Sequence, residues 1–511
     1  MNWLDQVVNE IIARYPGGEI LIESGGSPSG TYHLGHMREL VTCDAIMLEL
    51  RRRGRSARHI YFVDDLDIFR KVPANVSADF EQYLGMPICD VPSPAGDSNR
   101  SYADHFLQGL IDSCAALGVE VEFVRSHPKY RSGWFVPAIE LCLDHIPEIR
   151  HALETISNRK LDEHWTPIQI LESGRLKNRK FLGFDKTAKT LRYEDAAGKV
   201  QIAHYDKGEV KLDWRLDWPA RWWMLKVQVE PFGREHASAG GSYDTGVQVM
   251  KEVFKATPPL PVPYNPINMV GDTKKMSASK GTAISALEGV QIMPAEVIRY
   301  FILRAPLNKV LSFDPANGVV QLMDEFAALS AMPNRSEAEE RLLYVCTRGV
   351  ERRSVSRVPF SHLVASYQAS LKNADKTLEV IKRTEHSVAA SEDAEIIKEE
   401  LKFIDEWLQL RAPSEVTFSL AEKIQPGDFT DNEQTFLRAL GERVASAPAD
   451  ADGAYFHDRI YELKDEMSLQ PKEMFEALYR ALIGKTSGPR AGWFLSMLPR
   501  EWLVTRLRLQ S

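Results

Sequence analysis

The sequence predicts an α/β protein with a doubly wound parallel sheet, an insertion between the two halves of that sheet, and a separate all-α region toward the C-terminus. Three observations carry this prediction. Short apolar runs alternate with amphipathic stretches up to about residue 124, a polar stretch interrupts them over about 126–212, and long helical periods dominate beyond about residue 323. Strand–helix–strand alternation is typical of a parallel sheet covered by helices.

The first half of the sheet is predicted element by element. Residues 19–23 form a short apolar run and predict a buried strand, which a Gly/Ser/Pro turn follows. Apolar residues recur at helical spacing from His36 to about Arg53, where Gly54 ends the helix. A second strand is expected at 59–63, a helix at about 102–117, and a third strand near 119–124.

The same patterns predict strands and helices in the rest of the chain. Short strands are expected near 180–192 and 200–205 inside the insertion, and the α/β pattern returns with a helix at 243–254 and a strand at 266–270. Farther on, 391–410 and 471–482 predict helices of the all-α region.

Composition limits the function classes. A chain of 511 residues suggests two to four domains, and 44% apolar with 26% charged residues is ordinary for a globular protein. The net charge of −8 does not indicate a general nucleic-acid binder. The basic cluster of Arg51, Arg52, Arg53, Arg55 and Arg58 fits either a solvated helix end or an RNA contact.

Apolar runs and cysteine spacing limit the location and chemistry that we expect for the protein. No apolar run approaches the roughly 20 residues that span a bilayer, and the N-terminus lacks the pattern of a signal peptide. The five cysteines are scattered without CxxC spacing, so neither a disulfide framework nor a zinc site is expected. A cytoplasmic enzyme without membrane association fits best.

The segment from Pro28 to His36 lies between a predicted strand and a predicted helix. A helix N-terminus offers amide donors that suit phosphate. Gly35 would let an adenosine approach the backbone, because it has no Cβ. His33 and His36 are one helical turn apart, and both can donate hydrogen bonds to phosphate oxygens during adenylation. The alternative is a chance pair of histidines, or a metal-binding pair.

A second segment, residues 274–281, reads Lys-Lys-Met-Ser-Ala-Ser-Lys-Gly. A loop with several lysines and hydroxyls can close over a triphosphate and supply charge as negative charge redistributes. A basic loop without a function is the alternative. The combination of both segments, about 240 residues apart, is nevertheless rare, and it resembles the two signatures of class I aminoacyl-tRNA synthetases.

Further segments narrow the resemblance to class I lysyl-tRNA synthetases of the archaeal type. They are spread over essentially the whole chain: 64–67, 70–73, 83–87, 214–222, 230–246, 313–315 and 484–490. The resemblance implies a Rossmann-type catalytic domain in two halves, an inserted connective domain, a stem-contact region and an α-helical anticodon-binding domain. Their expected bounds are 1–125 with 213–285, 126–212, 286–340 and 341–511.

The family also implies a two-step reaction. L-lysine attacks the α-phosphate of ATP to give lysyl-adenylate and pyrophosphate, and the terminal ribose of tRNA(Lys) then takes the lysyl group. Mg²⁺ would accompany ATP, and the enzyme would be a monomer.

Carried over by position, the resemblance assigns the site residues. His33 and His36 would contact ATP and the reacting phosphate, with Lys275 and Lys280 as the catalytic lysines of the closing loop. The other expected contacts are Gly35, Ser277, Ala278 and Ser279 with ATP, and Gly30, Thr31, Asp64, Trp214, His236 and Tyr264 with the amino acid. Lysine's ammonium needs a carboxylate when buried, for which Asp64 is the first candidate and Asp217 the second; an ordinary helix cap or ion pair is the alternative for both.

The chain departs from the family at three places. Ile170 and Ser173 stand where many relatives have zinc-binding cysteines, so zinc is not expected. Ala278 replaces a common lysine, and Arg234-Glu235 replaces Lys-Asp. Two alternatives therefore stay open: a paralogue that activates another amino acid or serves a biosynthetic or resistance pathway, and a catalytically silent RNA-binding regulator.

Overall fold

The computed structural model describes residues 2–157, 160–271 and 284–510 of the chain. Its strands are β1 Ile20–Gly26, β2 Ala57–Val63, β3 Glu122–Arg125, β4 Ile168–Glu172, β5 Arg175–Lys177, β6 Lys180–Asp185, β7 Thr190–Glu194, β8 Val200–His204, β9 Val210–Leu212, β10 Val229–Gly233, β11 Leu260–Tyr264, β12 Ile267–Met269 and β13 Leu311–Phe313.

Helices occur along the whole described chain. Up to residue 347 they are α1 Asn2–Arg14, α2 Leu34–Arg52, α3 Tyr102–Ala116, α4 Ser126–Arg131, α5 Val136–Asp144, α6 Ile146–Ser157, α7 Trp214–Leu225, α8 Ser242–Glu252, α9 Ala286–Ile292, α10 Ala295–Leu303, α11 Gly318–Ala331 and α12 Glu337–Thr347. The remaining helices are α13 Phe360–Ala369, α14 Ala374–Ile381, α15 Ser387–Glu392, α16 Ala394–Leu410, α17 Asp431–Ala445, α18 Gly453–Met467, α19 Pro471–Ile483, α20 Ala491–Met497 and α21 Arg500–Leu507.

The chain divides into two compact units. The first, or N-terminal, unit consists of Met1–Val290, Ile298–Phe313 and Ser336–Val350. The second, or C-terminal, unit consists of Gln291–Val297, Asp314–Arg335 and Glu351–Ser511. In the described residues, no helix is long and apolar enough to cross a membrane.

A five-stranded parallel sheet organises the N-terminal unit. Its strand order is β11-β10-β1-β2-β3. From β1 the chain adds β2 and β3 on one side, and after the insertion it adds β10 and β11 on the other. The sheet is therefore doubly wound, which confirms the predicted fold class. Its switch point lies between β1 and β10, where such sheets bind their ligands.

Two strands of this sheet are absent from the sequence predictions. Both β10 and β11 contain prolines, which lack an amide donor and weaken a strand pattern. The structure accommodates them because β11 is an edge strand and because β10 pairs with β1 at the single position Ile22–Val229, ahead of Pro231. The predicted strand at 266–270 is β12, which pairs with β13 outside the main sheet.

The insertion packs by apolar contacts onto the sheet. Buried side chains of its strands, such as Ile168, Ile170 and Leu191, join one core cluster with Phe62 of β2 and Trp222 of α7. Ile170 is 1% exposed and belongs to this core. Ser173 lies in the turn between β4 and β5 and has a positive φ of 49°.

The basic cluster at the end of α2 is paired with acids. Arg51 contacts Glu120 at 2.8 Å, Arg52 contacts Glu49 at 2.7 Å, and Arg53 contacts Asp5 at 2.6 Å. These arginines are the last turn and cap of a helix, where cations are favoured. The cluster was compatible with either a helix end or an RNA contact, and the structure therefore favours the helix end.

The C-terminal unit is all-helical in its described residues from 314 onward. Its core joins apolar residues of α17, α18, α19, α20 and α21, including Leu440, Ile460, Leu478 and Phe494. The predicted helix at 391–410 is interrupted at Asp393, which separates α15 from α16. Asp393 is buried and accepts hydrogen bonds from Arg353 and Arg357, so its carboxylate serves tertiary contacts at this break.

Candidate active site

A cleft opens at the switch point, at the carboxyl ends of β1, β2, β10 and β11. It has a smaller chamber of about 220 Å³ and a larger chamber of about 350 Å³. The residues that line both chambers are Gly25, Gly26, Ser27, Glu39, Gly233, Glu235 and Tyr264. The two chambers are therefore adjoining parts of one cleft.

The end of β1 approaches β2 so closely that it requires glycine. A Cβ on Gly25 would lie 2.7 Å from the backbone oxygen of Phe62. A Cβ on Gly26 would lie 2.7 Å from the hydroxyl of Tyr61. The Gly25-Gly26 pair thus lets the backbone itself form a wall of the cleft.

His33 and His36 line the smaller chamber at the N-terminus of α2. His33 caps the helix: the amide of Gly35 donates to its Nδ1 at 3.1 Å, and its own amide donates to Nδ1 of His36 at 3.1 Å. Because each Nδ1 is an acceptor here, Nε2 is the ring nitrogen that can donate. A Cβ on Gly35 would meet the His33 ring at 2.8 Å, so glycine is required here.

The second sequence motif, residues 274–281, lies outside the described residues. Lys275, Ser277, Ala278, Ser279 and Lys280 lie within 272–283, of which nothing is described. The flanks of this segment are described, and both reach the histidines. Pro266 and Ile267 line the smaller chamber, and the amide of Leu34 donates to Ile284 while His33 forms a bridge with Ser285.

Glu39 is fixed at the junction of the two chambers. The Tyr264 hydroxyl donates to Oε2 of Glu39 at 2.5 Å, and the amide of Gly25 donates to Oε1 at 3.1 Å. Burial raises the pKa of the Glu39 carboxyl to about 7, although both hydrogen bonds lower it. The carboxyl therefore titrates near neutral pH.

Aromatic side chains form a wall of the larger chamber. Trp214 begins α7, with Asp213 as its cap, and lies 5.8 Å from the ring of His236 and 6.1 Å from that of Trp218. His236 is held by a 2.8 Å hydrogen bond between its Nδ1 and the hydroxyl of Ser242. This wall suits the aliphatic part of a side chain.

Asp64 lines the larger chamber but belongs to a closed ionic cluster. Its oxygens lie 3.4 Å from Lys211 and 3.4 Å from Arg221, and the same two cations pair with Asp217. Tyr130 also donates to Asp217 at 2.6 Å. Two carboxylates and two cations balance each other, so the cluster is neutral without a ligand.

The two aspartates of this cluster titrate differently. Burial raises the pKa of Asp64 to about 6, despite the attraction of Lys211. Burial also acts to raise the pKa of Asp217, but Arg221 and Lys211 outweigh it and hold that pKa below its usual value. Asp217 is fully buried and does not line either chamber.

Glu23 and Glu230 are two further acids of the larger chamber. They are 1% and 3% exposed, respectively. Neither carboxylate oxygen of Glu23 has a hydrogen-bond partner among the described residues, and Oε2 of Glu230 has none either. Oε1 of Glu230 accepts from the Trp218 indole at 2.7 Å.

Gly30 and Thr31 do not line either chamber. The Thr31 hydroxyl accepts from the Asn75 amide at 3.1 Å, in a separate cavity of about 190 Å³. Gly30 lies against Pro73. The structure thus brings together His33, Gly35 and His36 in one chamber, and Asp64, Trp214 and His236 in the other, with Tyr264 in both.

The comparison with known families agrees with this geometry. Residues 1–347 match the family described as tRNA synthetases class I (K). This chain belongs to that family. The synthetase is 35% identical over 539 residues to the lysine–tRNA ligase 1 of Methanosarcina acetivorans, covering 100% of this chain and 98% of that protein. It is also 35% identical to the lysine–tRNA ligase of Archaeoglobus fulgidus, over 99% of each chain.

Among solved structures, a glutamate tRNA ligase from Elizabethkingia meningosepticum has a TM-score of 0.46 and 13% identity to this synthetase. The match covers 96% of this chain and 98% of that one. A similarity at this level does not indicate the activity of the chain.

Sequence reasoning missed Glu23, Glu39 and Glu230 in this synthetase. A signal was present for two of them, because Glu23 and Glu230 interrupt the apolar runs of β1 and β10. A charge on the buried face of a strand is rare and calls for a partner. Glu39 gave no such signal, since an acid within an amphipathic helix usually lies on its exposed face.

Proposed function

We propose that this chain is a class I lysine–tRNA ligase, which activates L-lysine with ATP and transfers it to tRNA(Lys). The observation that carries the proposal is full-length similarity to proteins named lysine–tRNA ligase. The cleft supports it, because a chamber with two histidines at a helix N-terminus adjoins a chamber rich in carboxylates.

ATP would occupy the smaller chamber. There the N-terminus of α2 and the Nε2–H groups of His33 and His36 stabilise negative charge on the α-phosphate as it is attacked. Gly35 gives the adenosine room. Lys275 and Lys280 would supply positive charge to the departing pyrophosphate, and Ser277, Ala278 and Ser279 would contact ATP beside them.

Mg²⁺ would accompany the triphosphate. Such ions are commonly held by one or two carboxylates together with phosphate oxygens and water. Glu235 lines the smaller chamber, so a carboxylate is present for this arrangement. The ion would neutralise phosphate charge and favour departure of pyrophosphate.

Lysine would occupy the larger chamber with its carboxylate toward the histidines. That carboxylate attacks the α-phosphorus, the bond to the pyrophosphate oxygen breaks, and lysyl-adenylate remains. Trp214 and His236 would cover the aliphatic chain, and Tyr264 would act at the junction. Gly25 and Gly26 at the end of β1, with Ser27 after them, line this chamber and would contact the amino acid.

The remaining assignments complete the proposal. Residues 126–212 would serve as the connective domain, 286–340 as the stem-contact region and 341–511 as the anticodon-binding domain. The enzyme would act as a monomer in the cytoplasm. No zinc is required in this scheme, because apolar residues such as Ile170 hold the insertion together.

A pyrophosphate-exchange screen over twenty amino acids, with and without total tRNA, tests the function. We expect lysine to drive exchange above all the others. Exchange driven by another amino acid would overturn the lysine assignment in favour of a paralogue. No exchange with any amino acid, together with RNA binding, would overturn the enzymatic function in favour of a regulator.

A further inference from the structure

The paired acids Glu23 and Glu230 are neighbours on one face of the sheet. The parallel strands β1 and β10 are in register at Ile22 and Val229, so the following residue of each strand points to the same face. That face is covered by α7, which contributes Trp218 and Arg221 to the same chamber. Two carboxyl groups thus lie side by side at the wall of the larger chamber.

Among the described residues, no cation donates a hydrogen bond to this pair. Arg221 is close enough to lower the pKa of both acids, but its hydrogen bonds go to Asp217 and Asp64. Lys211 is likewise shared between Asp64 and Asp217. Three of the four carboxyl oxygens of the Glu23–Glu230 pair therefore lack a partner among the described residues.

An acid that is buried without a partner is costly. Burying a polar group without a hydrogen-bond partner is unfavourable, and more so when the group is charged. Such groups persist where a ligand satisfies them. Here the group lines the chamber proposed for the amino acid, so the missing partner has the chemistry of a cation that donates several hydrogen bonds.

We propose that Glu23 and Glu230 together bind the side-chain ammonium of the amino-acid substrate, and that Glu23 is thereby a specificity-determining residue. This inference rests on the proposed function. The substrate's carboxylate must reach the histidines of the smaller chamber. Its α-ammonium then lies near the junction of the two chambers, beside Glu39. The side-chain ammonium, four methylene groups farther on in lysine, then extends toward the acid pair in the larger chamber.

Protonation supports this arrangement. Burial raises the pKa of Glu23 to about 8, with the negative charges of Asp217 on α7 and Glu39 on α2 adding to the effect and Arg221 on α7 opposing it. Burial and the neighbouring Glu23 also raise the pKa of Glu230 well above its usual value. Near neutral pH the pair therefore favours its protonated form, and an entering ammonium displaces a proton to solvent.

Lysine-dependent pyrophosphate exchange, measured with total tRNA, tests the pair through Glu23→Gln. We expect the KM for lysine to rise about tenfold or more, because a charge-assisted contact is lost, while the KM for ATP stays unchanged. The neutral isostere 6-hydroxynorleucine gives a second readout. The preference for lysine over this compound, as a ratio of kcat/KM values, should fall about tenfold. An unchanged KM and an unchanged ratio would overturn the proposal.

Glu400→Gln is the matched control. Glu400 is also buried, its pKa is also raised to about 8 by burial, and it lines neither chamber. This variant should leave both KM values and the lysine preference unchanged. A similar rise in the KM for lysine in Glu400→Gln would show a general effect of losing a buried acid, and would also overturn the proposal.

The wild-type enzyme provides a test that does not depend on a folded variant. Between pH 7 and 9 the KM for lysine should fall as the pair loses its proton, whereas the KM for 6-hydroxynorleucine should not. Glu39 acts on both compounds alike and cancels in this comparison. If the KM values for both compounds had the same pH profile, the proposed role of the acid pair would be overturned, but the proposed function would not. Absence of lysine-dependent exchange in the wild type would instead overturn the proposed function.

Discussion

The hydroxyl of Tyr264 donates to Glu39 at 2.5 Å across 225 residues of sequence, and the amide of Gly25 donates to the other oxygen of the same carboxylate. Three elements, β11, α2 and β1, therefore converge on one acid. This acid lies where the smaller chamber, which holds the histidines, meets the larger chamber. It is the position at which the α-ammonium of an amino acid and the reacting carboxylate would meet.

Tyr264→Phe removes the phenolic donor without changing the shape of the wall. We expect the KM for lysine to rise about tenfold, because hydrogen bonds to charged groups contribute about 1.5–3 kcal/mol. Steady-state pyrophosphate exchange measures it. Since Glu39 would contact the α-ammonium, 6-hydroxynorleucine should be affected equally. Tyr461→Phe, which alters a tyrosine of α18 that lines neither chamber, is the control. A normal KM in Tyr264→Phe would contradict the role of this contact.

His36→Ala should lower the rate of adenylation by about 10²–10³-fold, the usual effect of removing one donor to transition-state charge. The KM for lysine should change little, because His36 lines the smaller chamber and not the larger one proposed for the amino acid. Single-turnover formation of lysyl-adenylate measures this rate. Full activity in the variant would exclude His36 from the chemistry.

His33 has a structural role as well, since it caps α2. His33→Asn separates the two roles, because asparagine is a good helix cap but lacks the Nε2 donor. We expect thermal stability close to that of the wild type together with a rate of adenylation lowered at least tenfold. If His33→Asn is as fast as the wild type while His33→Ala is unstable, His33 serves only as the cap.

Gly25→Ala should damage both stability and activity. Its Cβ would lie 2.7 Å from the backbone oxygen of Phe62, so β1 and β2 would have to separate at the cleft. Overpacking of this kind costs about 1–3 kcal/mol of unfolding free energy. Gly17→Ala is the matched control, because a Cβ there meets nothing within 4 Å. Denaturant unfolding and lysine-dependent exchange measure both variants, and equal stability of the two would contradict this account.

Glu400 predicts a pH dependence of stability. Burial raises its pKa from 4.5 to about 8, with Asp393 and Asp324 adding to the effect and hydrogen bonds from Ser356 opposing it. The folded state therefore binds more protons than the unfolded state between these values, and the stability from this group is lost as the pH rises through this window. Glu400→Gln keeps an oxygen acceptor but cannot ionise. From pH 6 to pH 8.5, the wild type should lose more unfolding free energy than the variant, by about a few kcal/mol. Parallel profiles in denaturant titrations would contradict this.

The sequence alone was sufficient for the fold class and for the local arrangement of the two histidines at the start of α2. An apolar run, a glycine-rich turn and a helical period follow one another between residues 20 and 52, and local propensity decides all three. The histidines cap the helix that their own segment forms, so their positions relative to each other and to Gly35 are local. Family membership likewise follows from segments that can be read along the chain.

Only the tertiary structure shows which of the described acids that line the larger chamber are paired with cations. Asp64 follows a strand and looked like the natural partner of an ammonium, yet Lys211 and Arg221 already neutralise it together with Asp217. Glu23 and Glu230 are 207 residues apart in the sequence, and only the pairing of β1 with β10 makes them neighbours. A carboxylate's role depends on which charges surround it, and this set is assembled by strand order and helix packing rather than by local sequence.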